Sequence, residues 1–222
     1  MTYVDDLKKG FAAVFSPVEG TRNGMDVIKA LRFYYEFSLL PFIAFIIVAS
    51  IMAHFGAIMP SYVPFLSMLL YNPAFAEIAV IISAIVLFWI VTPIGFFINA
   101  AIYQVVGYNF LHAWKGDYAK TFSAVMFGSL PLLLFYWLVP VPILGVLALM
   151  VFAVWDIIVL VIALSNLQKL SRLAAIGVIF VSVAIVLVAV MILFALTTAT
   201  LAPFTTLGSS GFYNNTFIPM MR

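Results

Sequence analysis

Five apolar runs limit what this chain can fold into. They cover residues 37–55, 76–106, 118–139, 143–166 and 173–196. A bilayer's hydrocarbon core is about 30 Å thick, so a helix needs about 20 predominantly apolar residues to cross it. In that solvent the backbone must satisfy its own polar groups, and a run of this length does so as an α-helix. Composition closes off the soluble alternative. The chain is 66% hydrophobic and 8% charged, where a soluble domain is about 25% charged. The predicted architecture is an all-α integral membrane protein, a five-transmembrane-helix bundle spanning residues 36–196. An N-terminal arm (1–35) precedes it and a polar tail (197–222) follows.

The basic residues predict the orientation. Lys8, Lys9, Arg22, Lys29 and Arg32 precede the first run, Lys115 and Lys120 lie between the second and third, and Lys169 and Arg172 lie between the fourth and fifth. The connections at 56–75 and 140–142 hold no Lys or Arg, and only Arg222 is left. If the spans alternate, nine of the ten basic residues fall on one side, and the positive-inside rule makes that side cytoplasmic. The N-terminus is then inside and the C-terminus outside. No cleavable signal is expected, because about thirty mixed-charge residues precede an apolar run longer than the roughly 7–15 residues of a signal core.

The segments between runs carry their own expectations. In the arm, Val4, Leu7, Phe11, Val14 and Phe15 recur at helical spacing, with Asp5, Asp6, Lys8 and Lys9 mostly off that face. The arm is read either as an amphipathic helix on the inner leaflet or as a helix packed on the bundle. The connection 56–75 is apolar with three prolines and reads as an interfacial loop anchored by Tyr62 and Tyr71. The tail is Gly/Ser-rich, and its Asn214-Asn215-Thr216 matches the glycosylation sequon.

Asp156 is the acid that lies well inside a run. It sits thirteen residues into the fourth span, about 20 Å along a helix at 1.5 Å per residue. An ionised carboxylate at that depth costs about 3 kcal/mol on the insertion scale, so it must face protein or water. No Lys or Arg occurs in another span at that depth. Either the carboxyl is protonated and donates a hydrogen bond, or it meets a water-filled or ion-bearing cavity. Thr92, Gly95, Asn99 and Tyr103 form a stripe at spacings of three and four on the second span. Pro93 has no N–H, which frees the carbonyl of Trp89 for another partner. Ser123 and Ser129 on the third span and Ser182 on the fifth add hydroxyls. Asp156, Asn99, Thr92, Ser123 and Ser182 are therefore the candidate intramembrane polar site. It is read as a proton or cation site, or as polar glue between helices. The candidate contacts for lipid headgroups or a partner are Lys8, Lys9, Lys115, Lys120, Lys169 and Arg172.

The motifs of membrane and soluble enzymes are missing. The sequence holds no H-E-x-x-H, no G-x-S-x-G and no phosphate-binding loop. With one aspartate inside the spans, paired-aspartate proteolysis lacks its second acid. No cysteine is present, and His54 and His112 are too few for a histidine metal cluster. Neither an enzyme nor a cofactor is expected, and a net charge of +2 gives no nucleic-acid surface.

Three stretches carry a family resemblance: "GDYAKTFSAVMFGSLPLLL", "PILGVLALMVFAVWDIIVLVIALSNLQKLSRLAA" and the N-terminal "FSPVEG". Together they resemble the Yip family, five-span membrane proteins named for interaction with Ypt/Rab GTPases. The resemblance implies a trafficking-type or membrane-organising role. In eukaryotic members that role lies between endoplasmic reticulum and Golgi, with a cytosolic N-terminal region engaging Rab proteins. This chain has an arm of about thirty-five residues and lacks the Asp-Leu-Tyr-Gly-Pro motif, so it resembles the short prokaryotic members, for which the plasma membrane is implied. The leading expectation is a Yip-like scaffold that binds protein or lipid partners, anionic headgroups among them, and forms a homo-oligomer. The rival is a small transporter or channel with a proton or cation site at Asp156.

Overall fold

The computed structural model describes residues 3–54, 73–114 and 116–210. Tyr62, Tyr71, Lys115 and Asn214 lie outside the described residues. The described residues are helical without strands. The arm forms α1 (Tyr3–Phe15) and a single turn, α2 (Pro17–Gly20). The first span is α3 (Val27–His54). The second is α4 (Pro73–Val86), a wide π-helical turn (Leu87–Val91), α5 (Thr92–Gln104) and a second wide segment (Val105–Phe110). The third breaks into α6 (Tyr118–Gly128) and α7 (Leu130–Phe135), closed by a tight turn at Tyr136–Leu138. The fourth is α8 (Leu144–Gln168) and the fifth lies in α9 (Arg172–Ser210).

Among the described residues five stretches are long and apolar enough to cross a membrane: Val27–Met52, Ile81–Phe110, Tyr118–Leu138, Leu144–Gln168 and Arg172–Thr197. The chain is thus a multi-pass membrane protein, helical throughout its spans. It divides into two compact units, Met1–Ile179 and Phe180–Arg222. The first contains four of the spans. The second contains most of the fifth, whose Phe180, Leu187, Met191 and Phe194 are exposed, as suits a helix that turns large apolar side chains to lipid.

Within the first unit the third span is central. It is 67% buried, against 22%, 22% and 17% for the first, second and fourth. Phe122, Met126, Phe127 and Leu130 are wholly enclosed. Gly128 explains the close approach of the fourth span, since a Cβ placed there would lie 2.8 Å from the Cβ of Leu160. Aromatic rings fill much of the remaining space. Tyr35 stacks on Trp89 at 5.1 Å, Tyr34 meets Phe96 edge-on at 5.0 Å, and Phe42, Phe45 and Tyr136 surround Phe88. Such contacts matter in lipid, where apolar area alone does not bring helices together and packing must.

The second span shows how a local irregularity is satisfied. The proline effect at Pro93 frees the Trp89 carbonyl, and the hydroxyl of Tyr35 donates to it at 3.3 Å. Next to it, Tyr34 donates to the Phe88 carbonyl at 2.5 Å, and Thr92 Oγ1 donates to the Leu87 carbonyl at 2.8 Å. Three successive carbonyls in the wide turn thus each receive a hydroxyl.

The arm packs on the bundle. Asp6, Gly10, Ala13 and Val14 of α1 are buried, while Val4, Asp5, Lys8, Phe11 and Phe15 are exposed. Gly10 is needed because a Cβ would overlap the Phe37 ring. Trp155 Nε1 of the fourth span donates to the carbonyl of Val14 at 2.8 Å. The Lys9 ammonium lies 5.5 Å from the centre of the Phe127 ring in the third span. These partners lie near the middle of their helices, so α1 crosses three spans at mid-length.

Candidate functional site

In the first unit, the candidate residues Asp156, Thr92 and Ser123 each bond to a different partner. Asp156 Oδ1 accepts the backbone N–H of Leu132 at 2.9 Å. The third span breaks at Ser129, with Pro131 in the first turn of α7. First-turn N–H groups of a helix have no partner within it, and the carboxylate supplies one from the neighbouring span. Thr92 is committed to Leu87. Ser123 ties the third span to the segment before the first, donating to the Met25 carbonyl at 2.7 Å and accepting its N–H at 2.9 Å. Asn99 is exposed, because the buried edge of α5 is Pro93, Phe96 and Ala100. Ser182 lies in the second unit. Beside the break, a cavity of about 110 Å³ is lined by Leu87, Phe88, Thr92, Ser129, Leu132, Leu133 and Tyr136. Asp156 is not in its wall.

A polar assembly that the sequence reading missed joins one end of the unit. Gln104 Oε1 accepts from Thr121 Oγ1 at 2.6 Å and from Trp114 Nε1 at 3.3 Å, and its Nε2 donates to the Gly116 carbonyl at 2.9 Å. Gln168 Nε2 donates to Thr121 Oγ1 at 2.8 Å. Asn166 Nδ2 donates to the Val18 carbonyl at 3.1 Å and to Thr21 Oγ1 at 3.0 Å. These bonds place the end of the second span, the start of the third, the end of the fourth and the Val18–Thr21 turn after α1 at one end. The signal was present as Gln104, Asn166 and Gln168, amides at the ends of apolar runs.

Two clefts open at this end. One, of about 420 Å³, is lined by Arg22, Asn23, Asp26, Asp117, Lys120, Asn166 and Lys169 among others. Its two acids are engaged. Asp117 caps α6, accepting the N–H of Ala119 at 3.0 Å. Asp26 accepts the Lys29 N–H at 2.8 Å and pairs with its ammonium at 3.1 Å. Those interactions, the backbone bond first, hold the Asp26 carboxyl below its ordinary value of 3.8. Arg22, Lys120 and Lys169 are exposed, and the two ion pairs of the described residues, Lys29–Asp26 and Arg32–Glu36, include none of them. Three cations from three separate segments therefore face one cleft. Lys169 is held there by a left-handed turn, φ 56°, that ends α8.

The second cleft, of about 470 Å³, is lined by Asp6, Lys9, Lys29, Arg32, Phe33 and residues 23–26, which wall both clefts. Lys9 is half-buried with its ammonium over the Phe127 ring, and burial lowers its pKa. Lys8 and Arg172 are exposed but line neither cleft. Among the described residues no group of three or more His, Cys, Asp or Glu could hold a metal ion.

No family model, curated protein or solved structure matches the chain.

Proposed function

We propose that the protein is a membrane-organising scaffold, Yip-like in its organisation, that gathers anionic phospholipid headgroups at its basic end. The observation that carries this reading is the convergence of Arg22, Lys120 and Lys169 on one cleft whose acids are already engaged. Each basic group near a membrane surface contributes about 1 kcal/mol of attraction to anionic lipid. The basic distribution along the sequence supports a cytoplasmic location for this end, and the turn that carries Lys169 belongs to the stretch that resembles the Yip proteins. A protein partner on the cytoplasmic face would use the same surface.

The test uses the full chain in bilayers of phosphatidylcholine with a spin-labelled lipid probe. Spin-labelled phosphatidylglycerol is expected to be held at the protein in preference to spin-labelled phosphatidylcholine. Replacing Arg22, Lys120 and Lys169 together by Gln should abolish that preference. Equal retention of both lipids by the unaltered protein would overturn the reading.

A second reading, proton or cation transport through Asp156, draws on the 110 Å³ cavity beside the Leu132 amide that Asp156 holds. Its test is flux in liposomes. Flux that is lost in Asp156→Asn would favour transport, and no flux in the unaltered protein would remove this reading.

A further inference from the structure

The arm helix α1 divides two different surroundings within the first unit. On the side away from the basic end, its Val14 and Phe15 share an apolar groove of about 610 Å³ with Phe135 of the third span and Met150, Val151 and Trp155 of the fourth. On the side toward the basic end, its Asp6 and Lys9 line the second cleft with Asp26, Lys29 and Arg32. The outer face of α1 divides in the same sense. At 3.6 residues per turn, the exposed Val4, Phe11 and Phe15 follow on from Val14, and the exposed Lys8 and Asp5 lead to Lys9. A helix split lengthwise in this way suits the plane between water and hydrocarbon.

Two contacts fix how far along the spans α1 lies. Trp155 Nε1 donates to the Val14 carbonyl at 2.8 Å, and the Lys9 ammonium is 5.5 Å from the centre of the Phe127 ring. Trp155 is eleven residues past Leu144, where the fourth span begins, which is about 17 Å along a helix. A hydrocarbon core is about 30 Å thick. At the arm, the apolar surface therefore covers little more than half of it.

The second span differs. It packs on the first and third spans, and its Ile94, Phe97 and Ile98 are exposed. The Phe97 carbonyl accepts from the Tyr118 hydroxyl at 3.1 Å, and its ring lies 4.8 Å from that of Phe122. Tyr118 and Phe122 precede Phe127 in the third span, so Phe97 and Ile98 stand nearer the basic end than α1 does. Apolar side chains thus face outward on the second span at a height where Lys29 and Arg32 face outward beside the arm. A flat membrane boundary cannot suit both faces.

We propose that the arm face draws the headgroups of the adjoining leaflet in to the height of α1, so that the bilayer is thinner there than around the second span. The partner is the phospholipid leaflet itself. Its phosphates lie along Lys8, Lys29 and Arg32, and its acyl chains fill the groove on the other side of α1. Charged side chains left in hydrocarbon are costly, and bilayers thin locally around them, whereas mismatch in thickness costs only modestly per ångström. Phosphate is common to zwitterionic and anionic phospholipids, so the thinning does not depend on the lipid preference of the basic cleft.

The chain has no cysteine, so nitroxide labels can be placed one at a time on the full chain at Lys8→Cys, Ile98→Cys and Val151→Cys. All three positions are exposed. In phosphatidylcholine liposomes, collisions of each label with oxygen, which concentrates in hydrocarbon, are compared with collisions with a water-soluble nickel chelate. Positions 98 and 151 are expected to favour oxygen, and position 8 is expected to shift toward the nickel chelate although it lies farther from the basic end than position 98. A short, narrow distance between labels at 8 and 151 in the doubly labelled chain is expected, because the arm is docked. Oxygen favoured at position 8 would overturn the proposal. So would nickel favoured at position 98, which means a flat boundary at the height of α1, or a long, broad distance between 8 and 151, which means that the arm has left the bundle.

Discussion

Asp156 Oδ1 accepts the Leu132 N–H at 2.9 Å, joining the fourth span to the third where the third breaks. The acid in the apolar run thus answers a backbone donor that Pro131 and the break leave without a partner in its own helix. A buried donor that loses its acceptor costs about 1–3 kcal/mol. Asp156→Leu should therefore lower thermal stability in detergent by that order, while Asp156→Asn, which keeps an oxygen acceptor, should lose less. Equal stability of the Leu variant and the unaltered protein would show that the bond holds nothing.

The wide turn in the second span makes a graded prediction. Tyr34 is fully buried and donates at 2.5 Å to Phe88, whereas Tyr35 is partly buried and donates at 3.3 Å to Trp89. A typical hydrogen bond contributes about 0.5–1.5 kcal/mol net, and weak geometry contributes less. Tyr34→Phe should then destabilise more than Tyr35→Phe in denaturant titrations. The reverse order would place the support of this turn elsewhere.

Close packing at Gly128 can be tested by a double-mutant cycle. A Cβ there would lie 2.8 Å from Leu160 Cβ and 3.1 Å from its Cα, so Gly128→Ala should cost about 1–3 kcal/mol through overpacking. Shortening the neighbour should soften that cost. In the background of Leu160→Gly, which removes that Cβ, the same change is expected to cost less, and the coupling energy measures the contact. Additive effects would mean that the two spans do not press on each other here.

The spans were legible in the sequence because hydrocarbon requires an unbroken apolar run, a local property. The free Trp89 carbonyl was legible for the same reason, since Pro93 acts four residues away. Its partner Tyr35 was not, because it is 54 residues distant and a hydroxyl carries no address. The polar stripe misled at Asn99. Spacing identifies a face of a helix but not its direction, and the buried edge runs one residue along, through Pro93, Phe96 and Ala100. Val27 begins the first helix ten residues before its apolar run, where α1 and the second and third spans pack along a stretch whose Ala30, Phe33 and Tyr34 are buried. The basic cleft depended on Arg22, which sits in the break after α2 and gave no pattern of its own.

The cleft's three cations should act as separate, screenable charges. None forms an ion pair among the described residues, and each is exposed, so removing one leaves no buried acid stranded. Single changes Arg22→Gln, Lys120→Gln and Lys169→Gln are expected to leave thermal stability within about 0.5 kcal/mol. Each should reduce the preference for spin-labelled phosphatidylglycerol by up to about fivefold, the equivalent of roughly 1 kcal/mol per basic group. Lys8→Gln, on the exposed face of α1 and outside the cleft, should reduce it less. Raising ionic strength from about 0.01 M to 1 M shortens the screening length from about 30 Å to 3 Å and should erase the difference between the variants. If Lys8→Gln matched the cleft variants, general surface charge rather than the cleft would account for the lipid preference.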